Sequence, residues 1–313
     1  MAAPIKKFLD VFRVPPGTEI DLRNDYNPGF VGHFIAKEDA EEATAEGIQL
    51  LAQQQDRLYA RNTYGLLIIF QGLDAAGKDS TIKHVMAGVN PQGVQVTSFK
   101  VPGAEELDHD YLWRTCMALP RRGNIGIFNR SYYEEVLVVR VHPEYLERQG
   151  LPPKLKDQNI WTRRFQEINN FEQYLVDNGI IVLKFFLNIS KEEQKKRFLE
   201  RMEEPDKNWK FAAADIRERD HWDDYRHAFD AMLSTTSTPY APWYIIPADH
   251  KWFTRLAVVS VINETLDGLH LTYPEVTQQQ KEALVAAKAE MEQDDGDTAG
   301  TVQKVRKKRG KKS

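Results

Sequence analysis

The stretch "GLDAAGKDST", residues 72–81, holds the chemistry most visible in this chain. A Gly, four residues, a Gly and a Lys is the spacing of a loop that wraps phosphates. Its glycines let backbone N–H groups approach an anion, the following helix presents its N-terminus, and the Lys adds a point charge. Gly72, Gly77 and Lys78 fit, and Ala75, Ala76, Asp79 and Ser80 complete the candidate phosphate cradle. In most such loops a Ser or Thr follows the Lys and its hydroxyl holds Mg²⁺. Here that residue is Asp79, and a second carboxylate, Asp74, lies inside the loop. Asp79 reads as a first-turn acid favoured by the helix dipole.

A second candidate element is "IGIFNRSYYEEVLVVRVHPEY", residues 125–145. In many phosphate-loop enzymes an Asp ending a neighbouring strand helps to hold Mg²⁺. Here the strand ends in Asn129, a neutral and poor sole ligand, followed by Arg130, whose fork matches phosphate oxygens bidentately. Glu134 and Glu135 follow, either as functional carboxylates or as solvated acids at a helix start. The third element spans residues 190–210. From Lys191 to Lys210 it carries seven basic and six acidic residues, with Arg197 and Arg201 four apart on one helix face. That composition suits a lid closing positive charge over phosphates, or a surface helix laced by its own ion pairs. His84, His109 and His142 show neither base nor metal spacing and read as structural.

The elements that must position these residues alternate along the chain. Residues 1–37, rich in Pro, Gly and Asp, read as an extended arm, and a helix is expected over 37–61. "LLIIF" (66–70) is a continuous apolar run, the mark of a strand buried on both faces. Strands are expected at 94–99, 125–128, 180–189 and 243–248, and helices at 78–87, 106–119, 159–179 (stopped by Gly179), 191–203 and 212–233. This βαβαβαβααβ order predicts an α/β fold with a parallel sheet and helices on both faces. Three regions follow: an N-terminal arm and helix (1–60), a phosphate-loop core (61–275) with a lid at about 190–233, and a polar helix with a basic tail (276–313). Residues 301–313 hold seven Lys or Arg and no acid, and read as a solvated tail or an arm that gathers polyanions.

Composition bounds the setting. The 313 residues are 42% hydrophobic and 28% charged, with a net charge of −4, so a polyanion site must be a local basic face. One cysteine, Cys116, excludes an intramolecular disulfide and fits a reducing compartment. No apolar stretch suits a signal peptide or a membrane span, which leads to an expectation of a cytoplasmic protein with no membrane or nucleic-acid partner.

The motifs together resemble the family-2 polyphosphate kinases. The resemblance covers roughly residues 60–270 and rests on "FQGLDAAGKDSTIKH", "SFKVPGAEELDHDYLWR", "IGIFNRSYYEEVLVVRVHPE", "EPDKNWKF" with "HWDDYRHAFDAML", and "TSTPYAPWYIIPADHKWFTR", in that order. Most members carry "DRSWYNR" where this chain has "NRSYYEE"; Asn129 and Glu134 resemble the branch called class III, associated with both nucleoside mono- and diphosphate acceptors. The resemblance implies a three-layer P-loop kinase fold like thymidylate kinase with a helical lid, and a homodimer or homotetramer. It implies Mg²⁺ (with Mn²⁺ as a substitute) and reversible phosphoryl transfer between inorganic polyphosphate and adenine or guanine nucleotides. By family motif, Asp74, Lys78, Arg130, Arg197 and Arg201 are the catalytic candidates, and Asp74 and Glu134 the metal candidates. A polyphosphate donor needs a long basic groove, with Lys83, Lys100, Arg121, Arg122, Lys207 and Lys210 as candidate walls. The rival expectation is an ATP-dependent nucleoside monophosphate kinase on the same fold; a non-catalytic polyanion binder is opposed by the intact Asp74–Lys78–Arg130 set.

Overall fold

The computed structural model describes residues 10–32, 36–204 and 213–292. Among these, five strands form one sheet: β1 (Gly65–Gln71), β2 (Val94–Ser98), β3 (Ile125–Asn129), β4 (Ile180–Asn188) and β5 (Trp243–Pro247). They lie in the order β2-β3-β1-β4-β5 and every pair is parallel. The expected alternation is therefore the observed one, and the class is α/β.

Period-two alternation of β1 and β4 builds two cores. Leu66, Ile68 and Phe70, with Leu183, Phe185 and Leu187, pack on one face against helices α1 (Lys37–Arg61), α2 (Lys78–Val85) and α6 (Lys251–Asp267). Leu67 and Ile69, with Val182 and Phe186, pack on the other against α3 (Ile160–Asp177) and α5 (Trp222–Thr236). Both faces of β1 are covered, which is why its sequence is apolar without interruption. Gly179, at φ 82°, ends the α3 segment as its sequence position implied.

Two expected helices differ. The run 106–119 forms only the short helices Ala104–Asp108 and Trp113–Cys116. Asp110 lies between them and its Oδ1 accepts from Leu112 N at 2.9 Å, a local side-chain turn that competes with the helix. The run expected over 212–233 is a helix Ala213–Glu218, a 3₁₀ turn Arg219–His221 and then α5. A further helix, α4 (Lys191–Glu203), starts at Ser190, whose hydroxyl accepts from Glu193 N.

The described part of the N-terminal arm, residues 10–32, has no helix or strand, yet it belongs to the core. Phe12, Val14, Ile20 and Leu22 are buried. Val14 N donates to Trp243 O (2.9 Å) and Ile245 N to Phe12 O (2.8 Å), an antiparallel bridge that covers the edge of β5. Four buried apolar side chains contribute about 1.5–3 kcal/mol each, more than enough to hold such a strap.

The chain divides into a unit ending at Thr272 and one starting at Tyr273. In the second, a helix spans 278–292. Thr277 caps it reciprocally with Gln280: Gln280 N donates to Thr277 Oγ1, and Thr277 N to Gln280 Oε1. The basic block 301–313 lies outside the described residues.

Candidate active site

In a parallel sheet the carboxyl ends of neighbouring strands gather on one side, and ligands bind there where the strand order reverses. β1, central in the order, ends in the loop 72–77; β3 beside it ends in Asn129 and Arg130. The backbone of this corner demands special residues. Gly72 has φ 149°, and a Cβ there would sit 2.8 Å from Leu187 O. Gly77, at φ 104°, caps α2. Ala75 and Arg130 are non-glycine residues at φ 63°, a conformation that persists only where surrounding contacts fix it and that gathers at functional sites.

The side chains converge. Lys78, only 8% exposed, donates from Nζ to Gly72 O (2.5 Å) and Leu73 O (3.1 Å). Arg130 Nη2 meets Asp74 Oδ1 at 2.6 Å, and its Nη1 lies 3.8 Å from Glu134 Oε2. Asn129 Nδ2 donates to Asp79 Oδ1, so the neutral residue at the strand end and the unusual acid after the loop lysine are one hydrogen-bonded pair. Ser80 Oγ donates to Gly77 O. The adjoining cleft is lined by Asp74, Arg130 and Glu134, by Gln194, Glu218 and Arg219, and by an apolar wall of Leu137, Val138, Trp222, Tyr225 and Phe229.

Burial pushes the Lys78 ammonium down to about 8; the Arg130 charge adds to this, and Asp74, Glu134 and Asp79 oppose it. Below that pH Lys78 is charged, and above it the charge is lost. Lys78→Met keeps the length and removes the charge. Wild type is expected to bind tripolyphosphate about tenfold more tightly than Lys78→Met near pH 7, the scale of one charge-assisted hydrogen bond. That ratio should shrink as pH rises through about 8, and calorimetric titration of both proteins at each pH checks it, the ligand's own ionisation cancelling in the ratio.

A buried network fixes the segment that carries Arg130 and Glu134. Lys184, in the middle of β4 and fully buried, donates to Glu172 Oε2 (2.6 Å), Tyr133 Oη (3.0 Å) and Thr236 O (2.7 Å). Tyr132 and Tyr133 both donate to Glu172 Oε1, at 2.8 and 2.7 Å. The 3₁₀ helix Tyr132–Val136 is thereby tied to α3, β4 and the end of α5. Burial lowers the Lys184 ammonium and Glu172 draws it back up; three acceptors match its three donors.

The other expected site residues that the structure describes are not among those lining the cleft. Lys83 and Lys100 are exposed, on α2 and just beyond β2. Arg121 and Arg122 do not reach the site. They precede β3, and Arg122 Nη2 donates to Asn178 O at the amino end of the sheet. At about 3.3 Å per strand residue this is roughly 15 Å or more from the loop. Arg197 is not a lid arginine open to the cleft: it is 4% exposed and bonded to loop and strand-end carbonyls. Arg201 is half-buried with its guanidinium 5.6 Å from the Phe198 ring centre, and it is not among the residues lining the cleft. Lys207 and Lys210 lie outside the described residues. His142, read as structural, bonds Glu218 Oε2 at 2.9 Å, and Tyr225 donates to the same oxygen, joining two walls of the cleft. Sequence reading passed over Gln194, Glu218, Arg219 and Tyr225, and passed over Lys184. Only Lys184 carried a signal, a lysine inside the apolar strand "IIVLKFFLNI" that demands a buried partner.

The Polyphosphate kinase 2 (PPK2) family matches residues 34–272, most of the chain and all of the site. The chain belongs to this family. It is 49% identical over 282 residues to an ADP-polyphosphate phosphotransferase of Rhodopseudomonas palustris, covering 90% of this chain and 97% of that one. An AMP/ADP-polyphosphate phosphotransferase of Meiothermus ruber is 43% identical over 265 residues, covering 84% and 95%. The crystal structure of polyphosphate kinase 2 from Arthrobacter aurescens superposes with a TM-score of 0.80 at 38% identity, covering 89% of this chain and 96% of that one. The P-loop kinase fold expected from the motifs is therefore the fold of this family.

Proposed function

We propose that this polyphosphate kinase 2 family member moves the terminal phosphate of inorganic polyphosphate onto ADP and AMP, and onto the guanine equivalents, in a reversible reaction. The observation that carries this reading is the Asp74–Arg130–Glu134 cluster set against the Lys78 loop. Similarity to phosphotransferases named for ADP and for AMP/ADP supports the donor and the acceptors. Phosphoryl transfer asks little covalent chemistry of a protein; positioning and charge neutralisation do most of the work. Lys78 and Arg130 hold the phosphoryl group in transit. The acceptor is already an anion at neutral pH, so no general base is required. The apolar wall from Leu137 to Phe229 covers the acceptor's nucleoside and excludes water that would waste the donor.

The donor set fits a hard divalent cation. Among the described residues no group of three or more His, Cys, Asp or Glu forms a metal cage. Mg²⁺ takes one or two carboxylates and completes its shell with water and substrate phosphate, and Asp74 and Glu134 are two such carboxylates on one guanidinium. When bound, Mg²⁺ (or Mn²⁺) neutralises charge on the phosphates. The protein works as a homodimer or homotetramer in the cytoplasm; among the described residues no helix is long and apolar enough to cross a membrane.

Glu134 sets the acceptor range in this reading. A monophosphate is one phosphate shorter than a diphosphate and must sit deeper to meet the same donor. The carboxylate of Glu134, beside Arg130, orders that deeper position. Glu134→Asn is therefore expected to depress AMP phosphorylation more than ADP phosphorylation, by about tenfold in the ratio, the scale of one charge-assisted contact. Measuring kcat/KM for both acceptors at fixed polyphosphate and Mg²⁺ tests it. Equal losses would make Glu134 a general structural or metal group, and no loss would return it to a solvated helix-start acid.

A further inference from the structure

Three consecutive carbonyls of the phosphate loop are held from behind by one helix. Gln194 Nε2 donates to Asp74 O at 2.9 Å, and Arg197 Nη1 donates to Ala75 O at 2.9 Å and to Ala76 O at 3.1 Å. Arg197 Nη2 reaches Ala248 O (2.6 Å) and Asp249 O (3.1 Å), and its Nε reaches Glu193 Oε1 (2.9 Å). A guanidinium has five N–H donors in a planar fork, and here five acceptors meet them. Both side chains are buried, at 3% and 4% exposure; Arg197 has all five donors engaged by the protein, and Gln194 also lines the cleft.

A trans peptide places its C=O and the next N–H on opposite sides. Drawing the carbonyls of Asp74 and Ala76 toward α4 therefore turns the amides of Ala75 and Gly77 the other way. The amide of Ala76 closes a turn on Leu73 O at 3.1 Å. An anion cradle needs inward amides, and the left-handed φ of 63° at Ala75 needs contacts that over-determine it. α4 provides both. Gln194 also accepts from Arg219 Nη1 at 2.5 Å, which links the loop backbone to a cation on the cleft wall.

We infer that Gln194 and Arg197 are positioning residues that hold the phosphate loop in its anion-binding conformation through its carbonyls, with Gln194 coupling the loop to Arg219. The inference rests on the proposed function for the identity of the anion only.

The test uses full-length Arg197→Lys and Gln194→Met. A lysine has three donors and can serve at most three of the five acceptors; methionine keeps the length and burial of Gln194 and removes its donor. Three readouts are taken: tripolyphosphate affinity by calorimetry, backbone hydrogen exchange over residues 72–80, and steady-state kinetics. Expected are a roughly tenfold weaker tripolyphosphate affinity in Arg197→Lys and a several-fold weaker one in Gln194→Met, the scale of lost hydrogen bonds. Loop exchange should be faster in both, and kcat should fall while the nucleotide KM stays near wild type. If Arg197→Lys does not fold, Gln194→Met carries the test. Wild-type phosphate affinity with wild-type loop exchange in Gln194→Met overturns the inference. So does a rise in nucleotide KM equal to the fall in tripolyphosphate affinity, which would mark a general loosening. Wild-type ATP formation is scored separately: a wild type that binds tripolyphosphate and makes no ATP defeats the proposed function and leaves this inference to the binding and exchange results.

Discussion

Asp74→Asn is expected to lower kcat by about 10²-fold or more, the effect of removing a principal electrostatic group from a phosphoryl-transfer site. The substitution keeps the shape and one acceptor oxygen, so it removes charge and little else. Asp74 gives Oδ1 to Arg130 at 2.6 Å, and both side chains are about one-third exposed. A partly exposed pair of this kind contributes only about 0–1 kcal/mol to stability, so thermal unfolding should hardly move. The loss should fall on turnover for AMP and ADP alike, because the loop serves both acceptors, in contrast to the uneven loss expected at Glu134. Steady-state kinetics at saturating Mg²⁺ decide the matter. Turnover within about threefold of wild type would remove Asp74 from the reaction.

The largest stability effect is expected at a residue that touches no substrate. Lys184→Met leaves Glu172 fully buried without its cation, and breaking a buried pair from one side costs about 3–5 kcal/mol. For a domain of this size that is a fall in Tm on the order of 10 °C. Lys184→Met combined with Glu172→Leu removes both charges and should recover only part of the loss, because the unpaired charge is gone while the Tyr132 and Tyr133 hydroxyls and Thr236 O lose their Glu172 and Lys184 partners. Differential scanning calorimetry of the two variants reads both effects. A single variant as stable as wild type would mean that the ammonium does not hold the Tyr132–Tyr133 segment. The purpose of the network is positional: it fixes the 3₁₀ helix immediately after Arg130, where φ is 63° and the guanidinium must stand between Asp74 and Glu134.

What the sequence made legible was what short-range rules govern. The apolar run at 66–70, the glycines and Lys78 set strand, loop and helix in one stretch, and the register of β1 against β3 then placed Asn129 and Arg130 beside the loop. Arg130 and Glu134 were found because they follow a strand end. Less legible was anything decided by partners distant in the chain. The arm reads as merely extended because its turns hide four core residues, Phe12, Val14, Ile20 and Leu22, whose backbone hydrogen-bond partners lie more than 200 residues away. Arg197 and Arg201 share a helix face, but which way that face turns is fixed by carbonyls of residues 75, 76, 248 and 249. Arg121 and Arg122 carry the charge of a groove wall, but a residue before a parallel strand sits at the end opposite the loop. The interruption at Asp110 could have been anticipated, since an Asp side chain two residues from a backbone N–H is a common turn former.

The central claim is that polyphosphate, rather than ATP, is the phosphate donor at this loop. The most direct test supplies purified protein and Mg²⁺ with AMP or ADP and either polyphosphate or ATP, and measures nucleotide products by chromatography. The account predicts that polyphosphate with ADP yields ATP, and that polyphosphate with AMP yields ADP and then ATP, with Asp74→Asn losing both. Phosphorylation of AMP by ATP, with no product from polyphosphate, would contradict it and make the chain a nucleoside monophosphate kinase on the same fold.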